Sequence, residues 1–194
     1  MHLVRAAVVL FSMAMLAAAI PPVPRPAPDF DIRFTDGTQL PLRSYRGKVV
    51  ALTFIATTCP HCQHDSQVLT NLYAEYGARG FQPLGVAFNP MANLYVQDFV
   101  KDFGIKHPVG FSPLEPVIKF LGISTMERYV YPQIVWIDRK GIIRSQTPPL
   151  GDDTKMMLEP YWREMIEKLI KEPAEAANAA KKPATRSAQA KKTP

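Results

Sequence analysis

The chain has 194 residues, 47% hydrophobic and 21% charged, which suits one folded domain of about 100 to 150 residues with extensions. Its net charge of +6 is unevenly placed: from Pro173 onward Lys181, Lys182, Arg186, Lys191 and Lys192 face the single acid Glu175, so about two thirds of the excess lies in the tail. The rest is close to neutral, which argues against nucleic acid as a main partner. No phosphate loop, hydrolase triad or dinucleotide fingerprint is present, and no organic cofactor is implied.

Residues 1–20 carry His2 and Arg5, apolar runs from Ala6 to Phe11 and from Met13 to Leu16, and then Ala17-Ala18-Ala19. This is the layout of a signal peptide, and an uncleaved membrane anchor is the alternative. Either predicts an exported domain, periplasmic or held at the outer face of the cytoplasmic membrane. Residues 21–28 hold five prolines and predict an extended polyproline linker, a stalk before a folded domain at 29–172. The tail at 173–194, rich in alanine, lysine and proline, has too few large apolar side chains to fold and is expected to be disordered. Its charge suits contact with cell wall or anionic membrane.

Within the domain, Phe30, Ile32 and Phe34 alternate with polar residues, Asp36-Gly37 marks a tight turn, and Leu40 and Leu42 resume the alternation, which predicts a hairpin. Positions 49–57 are apolar and β-branched without alternation, the pattern of a central strand covered on both faces. Val68, Leu69, Leu72, Tyr73 and Tyr76 then recur at helical spacing until Gly77 and Gly80. Phe81 to Phe88 reads as a second inner strand and Met91 to Phe103 as a second helix, so strand, helix and strand imply a parallel crossover. A short edge strand is expected at Pro108 to Phe111, a short helix at Leu114 to Leu121, and a second hairpin from Ile134 to Arg144. An amphipathic final helix is entered through Pro160.

Between the central strand and the first helix lies Cys59-Pro60-His61-Cys62, which holds the only two cysteines of the chain. Pro60 suits a first helical position, because its fixed φ is helical and its missing N–H would be unpaired there. Cys59 is thereby placed at a helix N-terminus, where free N–H groups and the helix dipole favour a thiolate nucleophile. Cys62, one turn deeper, is close enough to close a disulfide and is expected to be the less exposed. His61 can add a donor or a positive charge beside the Cys59 sulfur. Two other readings stand beside redox exchange. One is a copper or zinc module built from Cys59, Cys62, His61 and His64; the other is a binding domain with an inert structural disulfide. His107 is expected on a loop or groove edge.

The Asp36-Gly37 hairpin, Arg46-Gly47-Lys48 before the central strand, the Cys-Pro-His-Cys site, and Tyr131-Pro132 followed by Asp138 and Gly141 come in an order that resembles the thioredoxin superfamily. The resemblance is specifically to its exported TlpA/ResA-like branch within the AhpC/TSA-type redoxins, over about residues 28–170. The resemblance implies an α/β thioredoxin fold, a central mixed sheet flanked by helices, with an N-terminal hairpin and a helix/strand insertion at about 91–121. It implies a thiol–disulfide oxidoreductase without a cofactor or metal, acting on protein thiols and disulfides, and drawing on a membrane electron donor if it works as a reductase. Apocytochrome thiols and metal-site assembly factors are the partners it suggests.

By the same resemblance Pro132 is cis and shapes a partner groove with Tyr131 and Thr58; an ordinary trans proline opening a strand is the alternative. Asp65 matches an acidic position of the branch and is the candidate proton acceptor for Cys62, against a reading as an exposed first-turn acid complementing the helix dipole. The chain departs from the family pattern in four places. Thr58 replaces a tryptophan, Thr53 a buried acid, Gln67 a helix-kinking proline, and Tyr131 a smaller Thr or Val. A peroxidase-like redoxin is a further alternative, although Ala56 stands where such enzymes carry the threonine that orients the peroxide.

Overall fold

The computed structural model describes residues 21–173; the expected signal segment at 1–20 and the tail from 174 onward lie outside the described residues. The framework is β1 (Arg25–Pro26), β2 (Asp31–Arg33), β3 (Gln39–Pro41), β4 (Val49–Ile55), α1 (Pro60–Tyr76), β5 (Phe81–Ala87), α2 (Ala92–Asp102), β6 (Val109–Phe111), α3 (Leu114–Leu121), β7 (Gln133–Ile137), β8 (Ile142–Gln146) and α4 (Glu159–Lys171). Among the described residues the strands form one mixed sheet in the order β1-β8-β7-β4-β5-β6-β2-β3. β4, β5 and β6 run parallel, and the remaining pairings are antiparallel. The expected crossover from β4 through α1 to β5 is present, and so are both hairpins.

β4 is buried along its whole length because helices or loops cover both faces of the sheet. Successive side chains point to opposite sides. Val50, Leu52 and Phe54 join Phe30, Val117, Phe120 and Leu121 on the face under α3 and the first hairpin. Val49 and Ala51 join Leu69, Leu72, Trp162 and Ile166 under α1 and α4, while Ile55 packs with Val96 and Phe99 of α2. Pro83 sits inside a central strand without breaking it. Its nitrogen points the same way as that of Gly85, whose N–H bonds Pro108, and β6 pairs with β5 only from Gly85 onward.

Three expectations are corrected. Arg25–Pro26 is no free stalk: it pairs antiparallel with Ile142 and Ile143, and Arg25 donates to Gln146 Oε1 at 2.7 Å. The strand Val109–Phe111 is not at an edge, because the hairpin from the N-terminal side returns to cover it through Arg33 and Phe111. Gly110 permits that approach, since a Cβ there would stand 2.3 Å from the carbonyl oxygen of Arg33. His107 is buried at 4% exposure rather than lying on a groove edge, with Nδ1 3.3 Å from Thr70 Oγ1.

Candidate active site

β4 delivers the chain to Cys59 through a short, pinned connection. The Thr57 N–H donates to Asn89 Oδ1 at 3.0 Å, and Gln63 Nε2 donates to the Thr57 carbonyl at 3.2 Å. Asn89 lies between β5 and α2, so two strand ends and the first helix are locked together just before the cysteine. The sequence reading passed over Asn89 and Gln63; the Asn89-Pro90 turn signal was the one available hint.

Cys59 caps α1 with extended backbone, φ −85° and ψ 119°, and Pro60 opens the helix. The Cys59 side chain is half-buried and Pro60 and Thr58 are exposed, whereas Cys62 is completely buried among Ile55, Ala87 and Val96. Both thiols are free. Burial pushes the Cys62 thiol well up; the backbone at Ala56 works against that, and Cys59 and Asp65 add to it. Deprotonating Cys62 therefore calls for a base close by.

The Tyr131–Pro132 peptide is cis, and the Cys59 Sγ–H points to the Tyr131 carbonyl at 3.9 Å. The Tyr131 phenol is pushed up by burial and by neighbouring Tyr129. Asp65 is half-buried in the second turn of α1, not in the first turn, so the reading as an exposed acid on the helix dipole does not hold. Burial raises its carboxyl to about 6, opposed by His64 and His61. The two exposed histidines, Asp65, Tyr131 and Pro132 line a cavity of 540 Å³ together with Leu150, Leu158 and Trp162.

Among the described residues no three His, Cys, Asp or Glu side chains gather as a metal site would need. The metal reading fails on helical geometry, since Cys62 faces the core while His61 and His64 face solvent. Two of the departures from the family pattern also have plain structural roles. Thr53 is buried and donates to the Leu84 carbonyl at 3.2 Å, and Gln67 donates from the surface to the Phe103 carbonyl at 3.3 Å.

A mixed sheet flanked by helices, with a cysteine pair opening the first long helix opposite a cis-proline, defines a thioredoxin-type redoxin. The AhpC/TSA family matches residues 23–146, and the chain belongs to that family, as a TlpA/ResA-like redoxin. Thiol-disulfide oxidoreductase ResA of Bacillus thuringiensis is 27% identical over 139 residues, which cover 72% of this chain and 76% of that protein. ResA of Halalkalibacterium halodurans is 30% identical over 136 residues, covering 70% and 72%. A Chlorobium tepidum structure provisionally assigned as thiol:disulfide interchange protein DsbE matches with a TM-score of 0.59 at 25% identity, covering 74% of this chain and 96% of that one.

Proposed function

We propose that Cys59 is the attacking thiol and Cys62 the resolving thiol of an exported enzyme that exchanges with protein disulfides. The chain is a thiol–disulfide oxidoreductase by family. One observation carries the assignment of roles: Cys59 is half-buried beside the Tyr131 carbonyl, while Cys62, one turn deeper, has no solvent exposure.

In the reducing direction the Cys59 thiolate attacks one sulfur of a partner disulfide. The Cys59–partner bond forms, the partner S–S bond breaks, and the other partner sulfur leaves as a thiolate. Cys62 then gives up its proton and attacks the Cys59 sulfur. The Cys59–Cys62 bond forms, the second partner sulfur leaves, and two electrons have passed to the partner. Asp65 lies on the same helix face as Cys62, three residues on, and its raised affinity for protons suits it to take the Cys62 proton near neutral pH. The cis Tyr131–Pro132 turn holds the partner backbone opposite Cys59, and His61 biases the pair toward the reduced thiolate. The pattern of residues 1–20 supports action outside the cytoplasm. The family likeness supports partners such as apocytochrome thiols or metal-site assembly factors, with a membrane donor supplying electrons for reduction.

The reduction potential of the pair, measured by equilibration in defined thiol/disulfide buffers, tests the reading and its direction. A value near about −270 mV makes the enzyme a reductase, and one near about −120 mV an oxidase. A pair that never exchanges overturns the proposal.

A further inference from the structure

A second cavity, of 450 Å³, shares only Tyr131 with the lining of the cavity beside α4. It opens beyond the C-terminal ends of β5 and β6, the position where parallel sheets most often present ligand sites. Phe88, Met91, Phe111, Leu114, Tyr129 and Tyr131 supply its apolar wall. Phe88 stands 4.9 Å from Tyr131 and 5.7 Å from Tyr129, ring centre to ring centre, so three aromatic rings form one continuous surface. Met91 and Leu114 are left 58% and 43% exposed at its rim. Met91 also holds a left-handed backbone, φ 57°, uncommon for a residue with a side chain.

The chemistry of the lining selects the occupant. No formally charged residue lines this cavity, whereas the one beside α4 is edged by His64, Asp65 and Glu159. The amide of Asn89, one of its polar groups, is already committed to Thr57. Tyr131 is shared: its carbonyl faces Cys59 and its ring walls the cavity. A partner chain joined to Cys59 through sulfur therefore lies beside Tyr131, the residue that also borders this cavity.

We propose that the aromatic cavity is a specificity subsite for the protein partner, taking a bulky uncharged side chain, Phe or Leu, next to the partner's reactive cysteine. The inference rests on Cys59 being the attacking thiol. It assigns Tyr131, bulkier than the residue expected there, the role of a partition between two unlike subsites.

The test uses the reduced full-length protein and short peptides whose single cysteine is disulfide-linked to thionitrobenzoate, with Phe, Leu, Ser or Lys placed in turn on each side of the cysteine. Cys59 attacks the peptide sulfur, the protein–peptide bond forms, and thionitrobenzoate, the better leaving group, departs and is followed by its colour. The Phe and Leu peptides are expected to react at least about tenfold faster than the Ser and Lys peptides. Leu114→Asp puts a charge on the cavity rim at a helix-start position that accepts an acid, and it is expected to bring the preference below about twofold. Leu158→Asp, on the rim of the other cavity, is expected to retain the preference. Equal rates for all peptides overturn the subsite and leave the oxidoreductase reading standing. So does a preference that Leu158→Asp abolishes and Leu114→Asp does not. Failure of every peptide to react overturns both.

Discussion

The two ends of α1 are built on opposite terms. At the C-terminal end Arg79 forks onto Glu167 with two bonds of 2.9 Å, Arg163 joins Glu75 at 2.6 Å and Glu159 at 2.8 Å, and both guanidinium groups lie over the Tyr76 ring. At the N-terminal end no side chain caps the helix, no acid occupies the first turn, and two thiols stand free. Asp65 makes no ion pair there among the described residues. One end has its polar groups matched to one another; the other leaves them for something that arrives. Chemistry belongs to the end with unspent bonding capacity, and variants at the two ends should separate accordingly.

The largest separation is expected at the cysteines. Cys59→Ser should abolish turnover of a protein disulfide, and Cys62→Ser should trap mixed disulfides visible on non-reducing gels, because attack proceeds and resolution cannot. Both variants should remain folded, since each replaces one sulfur by oxygen. Wild-type turnover by Cys59→Ser would erase the distinction between the two ends.

Asp65 comes next. If it takes the Cys62 proton, resolution of the mixed disulfide should slow as pH falls through about 6, where the carboxyl becomes protonated. Asp65→Asn should be at least about tenfold slower at pH 7 and should lose that inflection. Stability should move the other way. The folded carboxyl holds its proton up to about 6, while the unfolded one releases it near 3.8, so between these values the folded state binds more protons and falling pH favours it. Asp65→Asn is therefore expected to raise the urea midpoint at pH 7 and to lose that advantage below about pH 4. A site made less stable by an acid that speeds its reaction is the trade expected at a functional end.

His107, in the turn before β6, offers the structural counterpart, packed against Thr70 of the same helix. Thr70 Oγ1 accepts the Lys106 N–H at 3.3 Å and lies 3.3 Å from His107 Nδ1, while His107 Nε2 is buried without a partner among the described residues. Burial lowers this histidine to about 4 against 6.5 in the unfolded chain. Its contribution is complete above 6.5 and is lost as pH falls toward 4, opposite in sign to that of Asp65. His107→Leu should flatten the fall of the urea midpoint across that window while leaving the pH dependence of exchange unchanged. A shift in the exchange profile would tie His107 to the reactive end.

The sequence was legible where a local pattern carried the decision. The uniform apolar run of β4, the Asp36-Gly37 turn and Pro60 at the head of α1 each name their own structure, and with them the placement of Cys59 and Cys62. What escaped depends on distant partners. Arg25–Pro26 becomes a strand only because β8 offers it a free edge, and Val109–Phe111 becomes interior only because residues some eighty positions earlier return to pair with it. Asp65 and His107 look like surface residues on their own segments. Burial comes to Asp65 from α4 and the loop before it, and to His107 from the packing of α1 against the turn that leads to β6.

The smallest effect is expected at the tied end. Arg163→Ala removes contacts to Glu75 and Glu159, yet all three groups are open to solvent, with side-chain exposures of 39%, 48% and 45%. Water and salt compete well for such charges, and the long side chains regain rotamer freedom once released. The urea midpoint should barely move, and what movement there is should vanish in high salt. The rate of exchange should match wild type, because the loss lies four helical turns from Cys59 and the core under α1, built on Leu69, Leu72 and Trp162, stays filled. A large loss of stability, or any change in exchange, would mean that the charge network holds the reactive end in place through the length of the helix, and the two ends could no longer be treated as independent.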